Sequence, residues 1–212
     1  VDAMTDHNTD RLFDLPGARR CVFPVSRLVI DPERFIEDPM ESVGMGVVYM
    51  RTAKGEALRD ISDMDRSALI DTYYYPHHAA LTCMVDECLE EHSRCLIIDC
   101  HSFPEQPLPY ESDRNRPDIC IGTSPYHTSA ELKDCLLKVF EAIGYHVAID
   151  SPFSGTIVPL RHHQKDKRVS SVMIEVNRSL YASPSGFKRV QSDLSHAISQ
   201  AATIGLYNNT GE

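Results

Sequence analysis

Basic side chains are scarce in this sequence: 21 Lys and Arg stand against 31 Asp and Glu in 212 residues, for a net charge of -10. This balance argues against a nucleic-acid backbone or an anionic membrane as the main partner. The sequence also lacks an apolar run of bilayer length and a charged-then-apolar leader. Its seven cysteines include no Cys-x-x-Cys pair, so neither a disulfide framework nor a zinc knuckle is indicated. We therefore expect a cytoplasmic protein.

Common signatures of nucleotide binding and serine hydrolysis are missing as well, since there is no Gly-x-Gly-x-x-Gly, no P-loop and no Gly-x-Ser-x-Gly elbow. No low-complexity linker divides the chain, so residues 1–212 are predicted to form a single domain. Strand-like runs alternate with helix-like runs. This order predicts an α/β fold with a mostly parallel or mixed sheet covered by helices on both faces.

The element predictions follow from hydrophobic periodicity and capping signals. Helices are predicted from Ser62 with a bend near Pro76, from a Thr128/Glu131 capping box to Gly144, and along the apolar stripe from Phe187 to Ala201. Residues Pro39 to Gly55 show no clear period and predict an irregular lid-like excursion or a hairpin. Strands are predicted in Arg19–Asp31, Cys95–Cys100, Pro117–Thr123, Tyr145–Asp150 and Val169–Arg178.

The segment "RCLIIDCHSFP" ends a buried strand in polar groups. Asp99 and His101 are two residues apart, so their side chains leave the same face of the strand, and the carboxylate can orient the imidazole. We expect His101 at the carboxyl end of a central strand, close to a cleft. The spacing alone favours the alternative, a histidine that caps a loop through backbone hydrogen bonds.

Glu175 interrupts the apolar run "VMIEVNR", and Arg178 follows where the run ends. A glutamate in such a strand must be paired, solvated or functional, because burying an unpaired carboxylate is costly. A raised pKa there would suit a general base, and a salt bridge to an arginine is the alternative.

Other candidates lie in loops and on the long helix. Adjacent histidines on a helix diverge by about 100°, so His77 and His78 do not share one metal. His162 and His163 lie among basic residues, which favours a solvated loop. Arg27 and Arg34 flank Asp31, where they could grip a carboxylate or form surface ion pairs.

Five motifs together resemble the N-formylglutamate amidohydrolase family. They are "SRLVIDPER", "YYYPHHAAL", "LIIDCHSFP", "PDICIGT" and "IEVNRSLY", in this order and spacing from about Asp6 to Tyr181. The family in turn resembles zinc carboxypeptidases and aspartoacylases. The resemblance implies a three-layer α/β/α, phosphorylase/hydrolase-like fold, a zinc ion, and hydrolysis of an N-acyl acidic amino acid such as N-formylglutamate, with a role in histidine degradation.

Roles follow by position in the motifs. The resemblance implies that His101 binds zinc, that Glu175 is the general base, and that Asp6 is a second metal ligand, with Asp99 supporting His101 from behind. Residues implied in substrate binding are Arg34, Arg178, His78 and Arg27. We expect Arg34 and Arg178 to line one pocket.

Two departures from the family pattern are visible. The pattern begins with a strand ending in Pro-His-Ser-Gly, and no such segment precedes Val1, so an N-terminal strand is expected to be missing. Pro32-Glu33 replaces Leu-Asn, which could change the acyl or amino-acid group accepted. The alternatives are a carboxypeptidase- or aspartoacylase-like hydrolase of other specificity, and a metal-free relative that binds without catalysis.

Overall fold

Two apolar runs of the sequence become the long strands β1 (Cys95–Phe103) and β4 (Val169–Asn177) in a computed structural model that describes residues 4–52, 54–107 and 116–207. They pair in parallel. The short strand β2 (Ile119–Gly122) is antiparallel to β4, and β3 (Val147–Ile149) is parallel to β2. The described residues thus form one mixed sheet in the order β1-β4-β2-β3.

Alternation along the strands separates two cores, because successive side chains point to opposite faces. On one face Val172, Ile174 and Val176 of β4 pack against helices α4 (Ala130–Ile143) and α5 (Pro184–Tyr207). On the other face Val169 packs with helix α3 (Tyr75–His92) in a smaller cluster. These three layers confirm the predicted α/β/α fold.

The long predicted helix begins at Ser62, whose hydroxyl accepts a hydrogen bond from Asp65 N, as expected. It consists of α2 (Asp63–Leu69), a π-helical turn (Ile70–Tyr74) and α3. Pro76, at the start of α3, has no N–H to donate, and the wide turn immediately precedes it. A π-helical turn therefore lies just before Pro76, where the sequence predicted a bend. None of the described helices is long and apolar enough to cross a membrane.

Three local predictions are wrong. Residues 19–31 form turns and irregular chain instead of a strand, because Leu28 and Ile30 are buried against separate side-chain clusters and not in a ladder. The N-cap of α4 is Ser129, while the Thr128 hydroxyl donates to Ser171 O instead of capping the helix. In the described sheet β1 is an edge strand, whereas His101 was expected on a central strand.

The remaining connections are short helices, bridges and loops. A four-residue helix, α1 (Thr9–Leu12), follows Asp6. The segment after Asp38 forms a 3-10 helix (Pro39–Val43) and two isolated bridges, Met45 with Tyr49 and Arg51 with Ala57, in keeping with the irregular excursion predicted there. Residues 150–168 contain no helix or strand. This last segment, the 150–168 loop, crosses the same face of the sheet as α3.

Candidate active site

A polar row crosses the α3 side of the sheet. His101 on β1 lies opposite Glu175 on β4, and Glu175 lies opposite Cys120 on β2. All three residues are buried. The row exists because odd-numbered residues of β1 and β4 share this face, so the Asp-x-His pattern and the single glutamate of β4 are brought together by register.

Two carboxylates converge on one nitrogen of His101. The Nε2 atom lies 2.7 Å from Glu33 Oε1 and 3.0 Å from Asp99 Oδ1. We call Glu33, Asp99 and His101 the acidic trio; each offers a ligand atom, and these atoms lie within 4.8 Å of one another. Burial alone would lower the pKa of His101, but the Glu33 and Asp99 carboxylates raise it well above its ordinary value.

The second ring nitrogen of His101 faces Asp6. Asp6 Oδ2 is 3.5 Å from Nδ1 and 2.9 Å from the guanidinium of Arg27, and Asp6 Oδ1 accepts a hydrogen bond from Ser102 N at 2.8 Å. Burial would raise the pKa of Asp6, but His101 and Arg27 bring it well below its ordinary range. Asp6 is thus an ionised carboxylate that contacts the His101 ring on the side opposite to Glu33 and Asp99.

Glu175 is a buried acid with one oxygen that has no hydrogen-bond partner among the described residues. Burial raises the pKa of Glu175 to about 8. Beyond the end of β4, the Arg178 guanidinium donates to the Ser102 hydroxyl and carbonyl oxygens at 3.2 Å. Burial lowers the pKa of Arg178.

A separate polar cluster holds Arg34 and His78. The Arg34 guanidinium is 3.8 Å from Asp31 Oδ2 and 4.0 Å from Asp38 Oδ1. The His78 Nε2 atom is 2.7 Å from Pro32 O, so this nitrogen carries the proton, and Nδ1 is a buried acceptor with no partner among the described residues. Burial lowers the pKa of His78 and keeps the ring neutral.

A cavity of about 420 Å³ opens beside the acidic trio. Glu33, Asp99, Arg34 and His78 contribute to its lining, but Arg178 is not among the described lining residues. That Arg34 and Arg178 act on one substrate therefore stays a prediction, and this cavity alone does not join them.

The loop histidines depart from the solvated arrangement that the sequence favoured. His162 is buried, and its Nε2 atom is 2.8 Å from Asp86 Oδ1 on α3, which ties the 150–168 loop to that helix. His163 lies at the cavity and stacks on His127. The basic composition of the segment does not reveal these contacts, because the partners Asp86 and His127 are far away in the sequence.

The acidic trio fits a divalent metal ion. One imidazole nitrogen and two carboxylate oxygens match the three protein ligands that catalytic zinc sites use, and they also suit manganese or iron. Sequence reasoning assigned His101 to the metal, treated Asp99 as its support and did not include Glu33 among the ligands. Asp6, expected as a second ligand, lies 3.5 Å from the other ring nitrogen of His101, and its role as a ligand stays a prediction. The signal for Glu33 was the acid that replaces an amide directly after Pro32.

Comparisons with known proteins agree with this architecture. The family model described as N-formylglutamate amidohydrolase matches residues 1–182. The crystal structure of N-formylglutamate amidohydrolase from Ralstonia eutropha JMP134 is similar, with a TM-score of 0.66 and 24% identity over 86% of this chain and 74% of that one. The gene product Atu2144 from Agrobacterium tumefaciens gives a TM-score of 0.67 and 21% identity over 84% of this chain and 68% of that one. Among curated proteins none matches significantly. With the family model extending over most of its length, the chain belongs to the N-formylglutamate amidohydrolase family.

Proposed function

We propose that this protein is a metal-dependent amidohydrolase that cleaves the amide bond of an N-acyl acidic amino acid, such as N-formylglutamate to glutamate and formate. The observation that carries the proposal is the acidic trio beside Glu175, a buried acid with an unpartnered oxygen. Family membership supports the reaction class.

Glu33, Asp99 and His101 would hold the metal, for which we propose zinc. When bound, such an ion polarises an amide carbonyl and lowers the pKa of a bound water to near neutrality. Asp6 keeps the His101 ring in place through Nδ1, so that Nε2 remains directed at the two carboxylates.

Glu175 is proposed to move the proton. A carboxyl group whose pKa is raised to about 8 can both accept and release a proton near neutral pH. Its unpartnered oxygen would take the proton of the attacking water and return it to the leaving nitrogen. Cys120, on the neighbouring strand β2, donates a hydrogen bond from its thiol to Phe153 O. The unpartnered oxygen of Glu175 is therefore left available.

The arginines are proposed to divide between two tasks. Arg178 would hold a substrate carboxylate, because burial of Arg178 favours an anionic group next to it, and Arg27, which pairs with Asp6, would assist with its remaining N–H donors. Arg34 faces Asp31 and Asp38, so its charge is already compensated and it would contact uncharged parts of the substrate. His78 would accept a hydrogen bond at Nδ1 from a substrate donor.

The test combines metal analysis with an assay on the full-length protein. Purified protein should contain close to one equivalent of a divalent metal, and it should release glutamate from N-formylglutamate. A chelator should abolish the release, and added zinc should restore it. N-formylalanine, which lacks the side-chain carboxylate, is the matched poor substrate. A protein that neither binds a divalent metal nor hydrolyses these amides would instead be a binding relative without catalysis.

A further inference from the structure

The cavity lies to one side of the acidic trio. Glu33 and Asp99 stand in its lining, whereas Arg27, Glu175 and Arg178 are not among the described residues that line it. Those three residues lie around the His101 and Ser102 end of β1. The acidic trio therefore separates two sides of the site. Arg27 and Arg178 lie on one side, the arginine side, where substrate carboxylates can be held. The cavity lies on the other side.

Met173 forms an apolar part of the cavity next to Asp99, and the lining also includes polar residues such as Thr123, Ser124, Thr156 and Gln164. Met173 lies beside Asp99 in the β1–β4 register, and both residues line the cavity. Gly122 follows on β2, where a Cβ atom would meet Gly155 O at 2.4 Å and Met173 Cε at 2.3 Å. A side chain larger than that of glycine at this position would therefore clash with Met173, which lines the cavity next to Asp99.

One wall of the cavity is a rigid part of the 150–168 loop. Ile157 N donates to Asp99 Oδ2 at 2.8 Å, and Ile157 O accepts from the Ser171 hydroxyl at 2.8 Å. These bonds fix the strip Ile157–Val158, whose two residues line the cavity. A preformed apolar wall can bind a ligand without first ordering a loop.

The rim of the cavity carries two large apolar side chains that are exposed to solvent. Phe35 and Leu160 are each 55% exposed, and both belong to the cavity lining. Apolar side chains at the mouth of a concave site gain free energy when a ligand covers them. The lining provides no excess of basic side chains, because Arg34 lies near Asp31 and Asp38 and the lining also includes the acids Glu33 and Asp99.

Resting on the proposed function, we propose that this cavity receives the acyl group of the substrate, and that the preferred substrate is an acidic amino acid carrying an aliphatic acyl chain of several carbons instead of a formyl group. The scissile carbonyl lies at the trio, the amino-acid carboxylates lie on the arginine side, and the chain runs over Met173 towards Leu160 and Phe35. A formyl group has no carbon beyond its carbonyl and leaves this volume to water.

A series of N-acyl-L-glutamates tests the assignment: formyl, acetyl, butyryl and hexanoyl, with glutamate release measured on metal-loaded full-length protein. The specificity constant kcat/KM should increase by about three- to fourfold for each methylene that enters the cavity. A binding measurement without turnover accompanies it. By calorimetry, N-hexyl-L-glutamate, which cannot be hydrolysed, should bind more tightly than N-methyl-L-glutamate.

Variants locate the effect. Phe35→Ser and Leu160→Ser should lower the hexanoyl-to-formyl ratio of kcat/KM, whereas Val43→Ser should not, because Val43 is 52% exposed but outside the lining. Rates that fall from formyl to hexanoyl overturn the inference and leave the proposed function standing. A chain-length preference that both rim variants retain in full also overturns it. If no N-acylglutamate is hydrolysed at all, the proposed function and this inference fall together.

Discussion

Among the buried acids of the site, Glu175 differs in having an oxygen without a hydrogen-bond partner in the described structure. Asp6 accepts from Ser102 N, Asp31 from the Tyr49 hydroxyl, and Asp99 from Ile157 N. Leaving a buried carboxylate oxygen without a partner costs stability, so such an atom is retained where it has a task. This contrast leads to two predictions for single side chains.

Replacing Glu175 with glutamine should remove turnover and retain the metal. The amide keeps the shape of the side chain but cannot accept the proton of the water, and loss of general acid-base catalysis lowers kcat by about 10²- to 10⁴-fold. The metal content and kcat of the variant should be measured together. If metal is lost in proportion to activity, Glu175 is a ligand and not the base. The melting temperature of the metal-free variant should not fall, because a neutral amide replaces a buried acid.

Replacing Glu33 with glutamine should weaken metal binding. The substitution removes the negative charge 2.7 Å from His101 Nε2, and we expect the dissociation constant for zinc to rise by about tenfold or more. Competition with a chelating dye measures this constant. Glu37→Gln, an exposed glutamate four residues along the chain, is the control. Equal affinities of the Glu33 variant and the unaltered protein would exclude Glu33 as a ligand.

At the scale of elements, the 150–168 loop is held by contacts from several directions. Asp99 binds its backbone at Ile157, Asp86 of α3 binds His162, and His127 accepts a hydrogen bond from Gln164 N at 2.9 Å. A segment without regular structure can thus form a fixed cavity wall. The same contacts make its stability sensitive to histidine protonation.

Acid should loosen this part of the molecule through His127. Its Nδ1 donates to Val169 O and its Nε2 accepts from Gln164 N, so the fold requires the neutral ring, and burial lowers its pKa. An unfolded histidine, with a pKa near 6.5, binds a proton more readily than the folded one. Stability is therefore fully present above pH 6.5 and declines as the pH falls below it.

Urea unfolding at pH 7.5 and 5.5 measures this decline. The loss between the two pH values should be smaller in His127→Asn than in the unaltered protein. His92→Asn, which alters a histidine whose side chain is 64% exposed, should leave the loss unchanged. A loss of the same size in both variants would show that His127 does not contribute.

The elements that the sequence predicted well are those whose signals are local. The apolar runs of β1 and β4, the Ser62 cap and the Gly144 stop were all recognisable from a few adjacent residues. The failures depend on distant partners. Residues 19–31 alternate like a strand but pair with no strand in the part of the chain that the structure describes, and the contact of Glu33 with His101 joins positions that no short motif contains. The resemblance singles out His101 and Glu175 as candidates, and their roles stay predictions, whereas the extent of the cavity follows only from the packing of loops.

For the whole molecule, the net charge of -10 opposes the approach of a dianionic substrate. Raising the salt concentration from about 0.01 to 0.15 M shortens the screening length from about 30 to 8 Å, which weakens this repulsion but leaves contacts at an arginine largely intact. We expect kcat/KM for an N-acylglutamate to rise by about two- to fivefold over this range. The corresponding N-acylalanine, with one charge fewer, should change less. A fall with salt for the dianion would indicate that the local arginines dominate the field.

The π-helical turn at Ile70–Tyr74 also has an evolutionary meaning. Such a turn is equivalent to one extra residue inserted into an α-helix, and deleting that residue would restore a regular helix while rotating one half against the other by about 100°. Before the turn, Arg66 is paired with Glu41; after it, His78 reaches Pro32 O. Both contacts survive only with the insertion. In an alignment of relatives, a one-residue gap in this turn would therefore mark proteins that have lost the His78 contact, even where the histidine itself is still present.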